Sequence, residues 1–374
     1  MISPRDFFDC LKQQGIEYYT GVPDSLLKDF CAYVASVVPS SNNVIAANEG
    51  NAVALAAGYH LATGKIGLVY MQNSGLGNAV NPLLSLMDRA VYSIPCVLLV
   101  GWRGEPGVKD EPQHLKQGEV TLKLLNTLDV PHETLPTKND QAIEVIKKIV
   151  KRAKTEQRVT ALIVRKGTFS PFKVENTEEN KQLPLREEVL DYFIRQLGER
   201  DIVVATTGKT SRELFELREK YNQGHANDFL TVGSMGHASQ IALGIASNCQ
   251  ERQVYCFDGD GAFIMHLGGA AIIGERAPKN YKHIVLNNGA HESVGGQPTA
   301  GFHLNMLEVA KACGYKRFLR IASIEELQNN YDQISEAEGP VFVEIRVRKG
   351  ARKDLGRPTI APIANKEVFM EDLR

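Results

Sequence analysis

The sequence predicts an α/β protein of two doubly wound, parallel-sheet domains, and three observations carry that expectation. Short apolar, β-branched runs alternate with amphipathic stretches along all 374 residues, the pattern of parallel strands covered on both faces by helices. That length suits two domains of ordinary size. Between the halves, Gly167 to Pro184 is polar, charged and aperiodic, with Pro171 and Pro184, which reads as a linker. The expected domains are therefore 1–166 and 185–374.

The elements follow in order. Ser3-Pro4, a capping residue and then proline in the first turn, opens a helix over 4–14. Strand 16–20 and helix 24–37 come next, strand 43–47 leads into helix 49–63, and strand 66–71 into helix 76–89. Strand 94–100 runs into a long loop; helices 118–128 and 139–154 bracket a short strand near 130, and strand 159–164 closes the unit. The second half gives helix 186–198, strand 201–205, helix 209–220, strand 228–232 and helix 237–248. Strand 254–257, helix 262–273 and strand 283–286 precede helix 304–313, strand 315–319, helix 323–335 and strand 340–347. The tail from Lys349, rich in proline and charge, is expected to lie over the surface.

Composition narrows the class. With 43% hydrophobic and 23% charged residues the chain is an ordinary globular protein, and a net charge of −1 favours neither nucleic acid nor an acidic membrane surface. Six cysteines without a Cys-x-x-Cys pair read as small buried residues in a reducing compartment. Arg5 and Asp6 sit where a signal peptide would be apolar, and no apolar run approaches 18 residues. A cytoplasmic enzyme is the expectation.

Gly259-Asp260-Gly261 ends a strand-like run and is followed, after 25 intervening residues, by Asn287-Asn288. Asp260 and the Asn pair then lie at the carboxyl ends of two parallel strands joined by one crossover, the edge where open α/β sheets bind ligands. A carboxylate, a side-chain amide and loop carbonyls form an all-oxygen set suited to Mg²⁺ carrying a diphosphate. Glycine on both sides of Asp260 lets backbone NH groups approach phosphate oxygens at a helix N-terminus.

This spacing resembles the signature of the thiamine diphosphate-dependent decarboxylase family. The resemblance implies the thiamine diphosphate-binding fold without a middle domain: a pyrimidine-binding domain over 1–166 and a diphosphate-binding domain over 185–374. It implies Asp260, Asn288 and the carbonyl of Ala290 as ligands of Mg²⁺. Gly259, Gly261 and Ala262 become contacts of thiamine diphosphate, and so do Gly208 and Lys209 in Thr207-Gly208-Lys209-Thr210-Ser211. In Gly233-Ser234-Met235-Gly236, Met235 would wedge the cofactor into its bent form and Gly233 accept its amino group. Glu49, in Asn48-Glu49-Gly50-Asn51-Ala52, would be the buried acid that shares a proton with the aminopyrimidine; the small residues after it imply close packing.

Further segments, Gly21-Val22-Pro23-Asp24, Gly101-Trp102-Arg103-Gly104, Gln113-His114 and the run Asn288 to Thr299, resemble the branch of this family whose substrates, 3-phosphonopyruvate or sulfopyruvate, carry a second anion. The resemblance implies Asp24 and His114 as the proton-handling pair; pyruvate-type relatives have two adjacent histidines where this chain has one. Arg103, His291 and Ser293 are candidates for the second anion, with Lys109 and Lys116 beside His114 in the same loop. It also implies a homo-oligomer, at least a dimer, with active sites between chains. A nicotinamide-dependent dehydrogenase would need Gly-x-Gly-x-x-Gly after the first strand, where Gly21-Val22-Pro23-Asp24 stands instead. A flavin-related synthase would need a middle domain for which the chain has no room.

Overall fold

The computed structural model describes residues 1–173 and 182–373. The chain divides into two compact units, Met1–Asn176 with Ser293–Gln297, and Thr177–Glu292 with Pro298–Arg374. Of the linker expected at 167–184, residues 174–181 lie outside the described residues.

In the first unit, β1 (Tyr19–Gly21), β2 (Asn43–Ile45), β3 (Leu68–Gln72), β4 (Val97–Gly101), β5 (His132–Thr134) and β6 (Thr160–Val164) form one sheet in the order β2-β1-β3-β4-β6-β5. Every pairing is parallel. Its helices are α1 (Pro4–Gln13), α2 (Lys28–Val37), α3 (Glu49–Thr63), α4 (Leu76–Pro82), α5 (Pro112–Thr127) and α6 (Asn139–Glu156). The strands are apolar on both faces because both are covered. Along β4, Val97 and Leu99 join Phe7, Phe30 and Ile146 on one side, while Leu98 and Val100 join Ala52, Leu76 and Leu125 on the other.

The second unit contains α7 (Arg186–Gln196), β7 (Ile202–Ala205), α8 (Lys209–Lys220), β8 (Asp228–Leu230), α9 (Ala238–Asn248) and β9 (Val254–Gly259). After these come α10 (Asp260–Met265), α11 (Gly269–Arg276) and β10 (Tyr281–Asn287). Two short strands, β11 (Ala290–His291) and β12 (Gln297–Pro298), lie in the segment after β10; α12 (Met306–Cys313), β13 (Arg317–Ile321), α13 (Ile324–Ser335), β14 (Val341–Arg346) and α14 (Pro362–Asp372) complete the chain. The large sheet runs β13-β14-β10-β9-β7-β8, again all parallel. Numbered from its own first strand, each sheet therefore reads 2-1-3-4-6-5. Each chain path reverses beside its first strand, so the ligand-binding crevices fall at the carboxyl ends of β1 and β3 in one unit and of β7 and β9 in the other.

The structure departs from the sequence expectations in four places. The helix expected at 262–273 is two, α10 and α11, broken at His266–Gly268, where Gly268-Gly269 lowers helix propensity; Asp260 is thus the first residue of a helix. The long loop after β4 ends at Pro112, so His114 and Lys116 belong to the start of α5 and not to a loop; Pro112 at the first helical position was the available signal. Helix 76–89 is α4 followed by a π-helical turn, Leu83–Met87. The tail forms α14, which anchors Phe369 against Phe229.

Two glycines probe the packing in the second unit. A Cβ on Gly274 would overlap the carbonyl of Cys313 where α11 meets α12, whereas one on Gly244 of α9 meets nothing within 4 Å. Gly274→Ala should destabilise the unit by about 1–3 kcal/mol and Gly244→Ala stabilise it by about 0.5–1 kcal/mol, opposite shifts measurable in the urea midpoint.

Candidate active site

In the first unit, the turn after β2 delivers Glu49 as the first residue of α3. Asn48 caps the helix, its side chain accepting the Asn51 N–H at 2.9 Å. Glu49 is buried, at 5% exposure, and its Oε2 accepts the Asn78 amide at 2.7 Å. Gly75 is obligatory beside it, since any Cβ there would fall on the Glu49 carboxyl. Ala52 and Ala56 pack with no exposed surface on the inward face of the helix. The structure therefore holds this acid in the close, largely apolar setting that its neighbours imply.

The reversal beside β1 brings the ends of β1, β3 and β4 together. Asp24 is fully buried; Oδ1 accepts from Gln72 Nε2 at 2.8 Å and Oδ2 from the Leu26 N–H at 2.9 Å. Gly101 has no room for a side chain against the same carboxylate. Ser74 donates to Gln72 Oε1 at 2.8 Å, which fixes the end of the Gln72 amide offered to Asp24. Burial pushes the Asp24 carboxyl up, and the bonds from Gln72 and Leu26 and the charge of Arg103 offset this only in part.

Arg103 forms a fork with Asp110, Nε to Oδ2 at 2.8 Å and Nη2 to Oδ1 at 2.5 Å, and Nη1 donates to Ser25 Oγ at 2.9 Å. Burial would raise the Asp110 carboxyl, but Arg103 and the N–H groups of Gly104 and Glu111 outweigh it and hold Asp110 well below the usual range. Of the cations flanking His114 in sequence, Lys116 pairs with Glu119 on the surface at 2.9 Å and Lys109 is exposed, whereas Arg103 acts on Asp24. His114 packs beside the same strand end, its backbone pressed against Gly104, where a Cβ would meet the His114 carbonyl.

In the second unit, Asp260 is buried at the N-terminus of α10, at 2% exposure. The Asn288 N–H approaches Oδ1 at 3.4 Å, and the Thr299 hydroxyl donates to Oδ2. Burial pushes the carboxyl up to about 6 despite those donors. The buried, ionised carboxylate is costly there, and a cation among these oxygen atoms would stabilise it. Asn288 Oδ1 accepts the Ala290 N–H at 3.0 Å while its Nδ2 donates to Glu292 Oε2 at 3.1 Å. Asn287 braces the turn, donating to the Gly301 carbonyl and to Glu344, both at 2.9 Å. A side chain on Gly301 would strike Asn287 and Asp260. The donor set, one carboxylate with an amide and backbone carbonyls, fits Mg²⁺.

Around this loop stand the other expected residues. Gly208, with φ of 100°, precedes Lys209 at the start of α8, and Lys209 Nζ lies 3.1 Å from Glu292. Gly261 is crowded by His291 Cε1 and Met235 Cε, which a Cβ would meet at 2.9 and 3.3 Å, so Met235, Gly261 and His291 converge. Gly233 and Gly236 frame the turn that carries Met235, and Gly236 has φ of 85°. Burial lowers the His291 imidazole to about 4, leaving it neutral at pH 7. Ser293 groups with the first unit, apart from Asp260 and Asn288. Sequence reading passed over Asn78, Gln72, Thr299 and Asp110. Thr299 lies inside the run Asn288 to Thr299 that carries the family resemblance; Gln72 becomes visible only once the strand order is known, and Asp110 only once the path of the loop it shares with Arg103 is.

Comparison with known proteins identifies the family. Residues 4–125 match the family described as "Thiamine pyrophosphate enzyme, N-terminal TPP binding domain" and residues 206–345 its C-terminal TPP binding domain counterpart. Phosphonopyruvate decarboxylases of Streptomyces viridochromogenes and Streptomyces hygroscopicus are each 34% identical to the chain, covering 97% of it and 92% of the relative. Sulfopyruvate decarboxylase of Methanosarcina acetivorans is 26% identical over 94% of this chain and 92% of its own. With both domain matches and two full-length relatives at that identity, the chain belongs to the thiamine diphosphate-dependent decarboxylase family.

Proposed function

We propose that the chain decarboxylates 3-phosphonopyruvate to phosphonoacetaldehyde, using thiamine diphosphate held through Mg²⁺. The observation that carries this reading is Asp260: a carboxylate buried at a helix N-terminus, facing the Asn288 loop, whose charge calls for a cation. On this reading residues 1–166 bind the pyrimidine and residues 185–374 the diphosphate. Asp260, Asn288 and the Ala290 carbonyl hold Mg²⁺. Backbone N–H groups of Gly208, Gly261 and Ala262, with Lys209 and Gly259, receive the diphosphate; Met235 supports the bent cofactor, and Gly233 accepts its amino group.

When bound, thiamine diphosphate supplies a carbon nucleophile that can also take up the electron pair left by departing CO₂. Glu49 holds a proton on the far ring nitrogen of the aminopyrimidine, oriented by Asn78 and shielded from water. Asp24, whose burial favours its protonated form, and His114 handle protons at the reacting carbon. Arg103 keeps one N–H on each terminal nitrogen beyond those given to Asp110 and Ser25, enough to engage a phosphonate. Neutral His291 and Ser293 are further candidates for that anion. Phosphonate is favoured over sulfonate because identity to the phosphonopyruvate enzymes is higher over a similar span. A homo-oligomer, at least a dimer, is part of the reading; the first unit exposes the apolar side chains of Leu55, Leu61, Leu84 and Tyr92, which a second copy would cover. Six free cysteines suit a reducing, cytoplasmic setting.

Four outcomes test the reading. Asp260→Ala should abolish Mg²⁺-dependent binding of thiamine diphosphate in calorimetry; unchanged affinity would sink the metal assignment. Glu49→Gln should keep most cofactor binding yet lose on the order of a hundredfold in kcat, and near-normal turnover would move that role elsewhere. Wild-type enzyme should turn over phosphonopyruvate in preference to sulfopyruvate and pyruvate, and Arg103→Ala should raise the KM for phosphonopyruvate roughly tenfold, the loss of a charged hydrogen bond of about 1.5 kcal/mol. An equal effect on pyruvate would make Arg103 purely structural.

A further inference from the structure

Glu292 follows the Asn288 loop, and each of its carboxylate oxygens serves two donors. Oε2 accepts from Arg186 Nη1 at 2.9 Å and from Asn288 Nδ2 at 3.1 Å. Oε1 accepts from the Gly350 N–H at 2.6 Å and lies 3.1 Å from Lys209 Nζ. We infer that Glu292 is a positioning residue for the cofactor: it locks the Asn288 amide and the Lys209 ammonium into one rigid frame, so that the metal loop and the phosphate loop are presented together. The inference rests on the assignment of Asn288 and Lys209 to the metal and the diphosphate.

The chemistry of the bonds supports this role. A carboxylate can only accept, so it selects the NH₂ end of the Asn288 side chain and leaves Oδ1 as the end available to a cation. Oδ1 spends one lone pair on the Ala290 N–H at 3.0 Å and keeps the other. A group able to donate in place of Glu292 would let the amide turn over. The carboxylate is itself held by stiff elements. Arg186, the first residue of α7, forms a bidentate pair with Glu213 of α8, both bonds at 2.7 Å, and extends its remaining arm to Glu292. Arg186 and Glu213 are 7% and 0% exposed at the side chain, and Glu292 only 12%. The cluster balances two cations against two carboxylates, so Glu292 anchors Lys209 without leaving a net charge behind. Groups that hold metal ligands in this indirect way commonly change metal affinity when altered.

The test uses the full chain. For Glu292→Gln, nearly the same shape without the charge, and for Glu292→Ala, the affinities for Mg²⁺ and thiamine diphosphate are measured by calorimetry, alongside kcat at saturating cofactor and the urea midpoint of the cofactor-free protein. The expected result is Mg²⁺ affinity weakened roughly 10–100-fold, with kcat at saturation within about threefold of wild type. Wild-type affinity in both variants would overturn the inference. So would a collapse of kcat at unchanged affinity, which would give Glu292 a part in the chemistry. Unfolding that saturating Mg²⁺ and cofactor do not reverse would mark a purely structural role. Asp260→Ala, measured in parallel, separates the two claims: if it binds cofactor normally the assignment of the site fails, and if it does not while Glu292→Gln binds as wild type, only this inference fails.

Discussion

The arrangement of the second unit turns on one unfavourable act, the burial of the Asp260 carboxylate where β9 meets α10. An isolated buried charge is expensive, and the surroundings answer it with short-range donors: the Thr299 hydroxyl, the Asn288 N–H and the first turn of α10. These donors leave the acid with its pKa still raised, so the site retains an appetite for positive charge. Gly301 exists as glycine because the chain must pass over that carboxylate and Asn287 at the same point. The loop from Asn287 to Gly301 is packed around the Asp260 carboxylate.

The first unit solves a different problem with the same scaffold. Its strand order equals that of the second, and its reversal point gathers Asp24, Gln72 and Arg103 at the ends of β1, β3 and β4. Here the donors are side-chain amides and a guanidinium already paired with Asp110, so the acids are oriented within a protein network. On the proposed reading, one unit would offer oxygen atoms to a cation and the other would place acids for proton transfer. Topology dictates where the groups meet, and the residue types at the strand ends dictate what they can do.

Much of this was legible in the sequence, for reasons that can be named. Alternation of apolar and amphipathic runs gave both parallel sheets, and α3 has the expected bounds, 49–63, with Asn48 capping its start and Gly64 at φ of 68° ending it. Asp260 and Asn288 were legible because strand ends and their spacing are local features. His114 was misplaced in a loop because the weight of Pro112 as a helix start was missed. The break between α10 and α11 falls at His266-Leu267-Gly268, where the apolar pattern resumes at once in Ala270 to Ile273 and so reads as one helix. The partner Gln72 was out of reach: it meets Asp24 across 48 residues, and that encounter depends on strand order; Asp110 is close to Arg103 in sequence but sits in an aperiodic loop whose path no pattern gives. Glu292 was visible as a residue but not as a hub, since Arg186 and Gly350 lie 106 and 58 residues away.

Writing one strand order twice also distributes mutational tolerance unevenly. In both sheets the functional groups follow the strands around the reversal, the edge strands β2 and β8 together with β1, β3, β4 and β7, β9, β10, while β5 and β6 in the first and β13 and β14 in the second form the opposite side. Drift on that opposite side is read mainly through folding, as lost packing, with Glu344 of β14 the exception because it braces Asn287. Drift at the strand ends around the reversal is read through chemistry and leaves the cores untouched. New substrate preferences can therefore arise from a few loop residues after β1, β4 and β10, on a scaffold whose stability is set elsewhere.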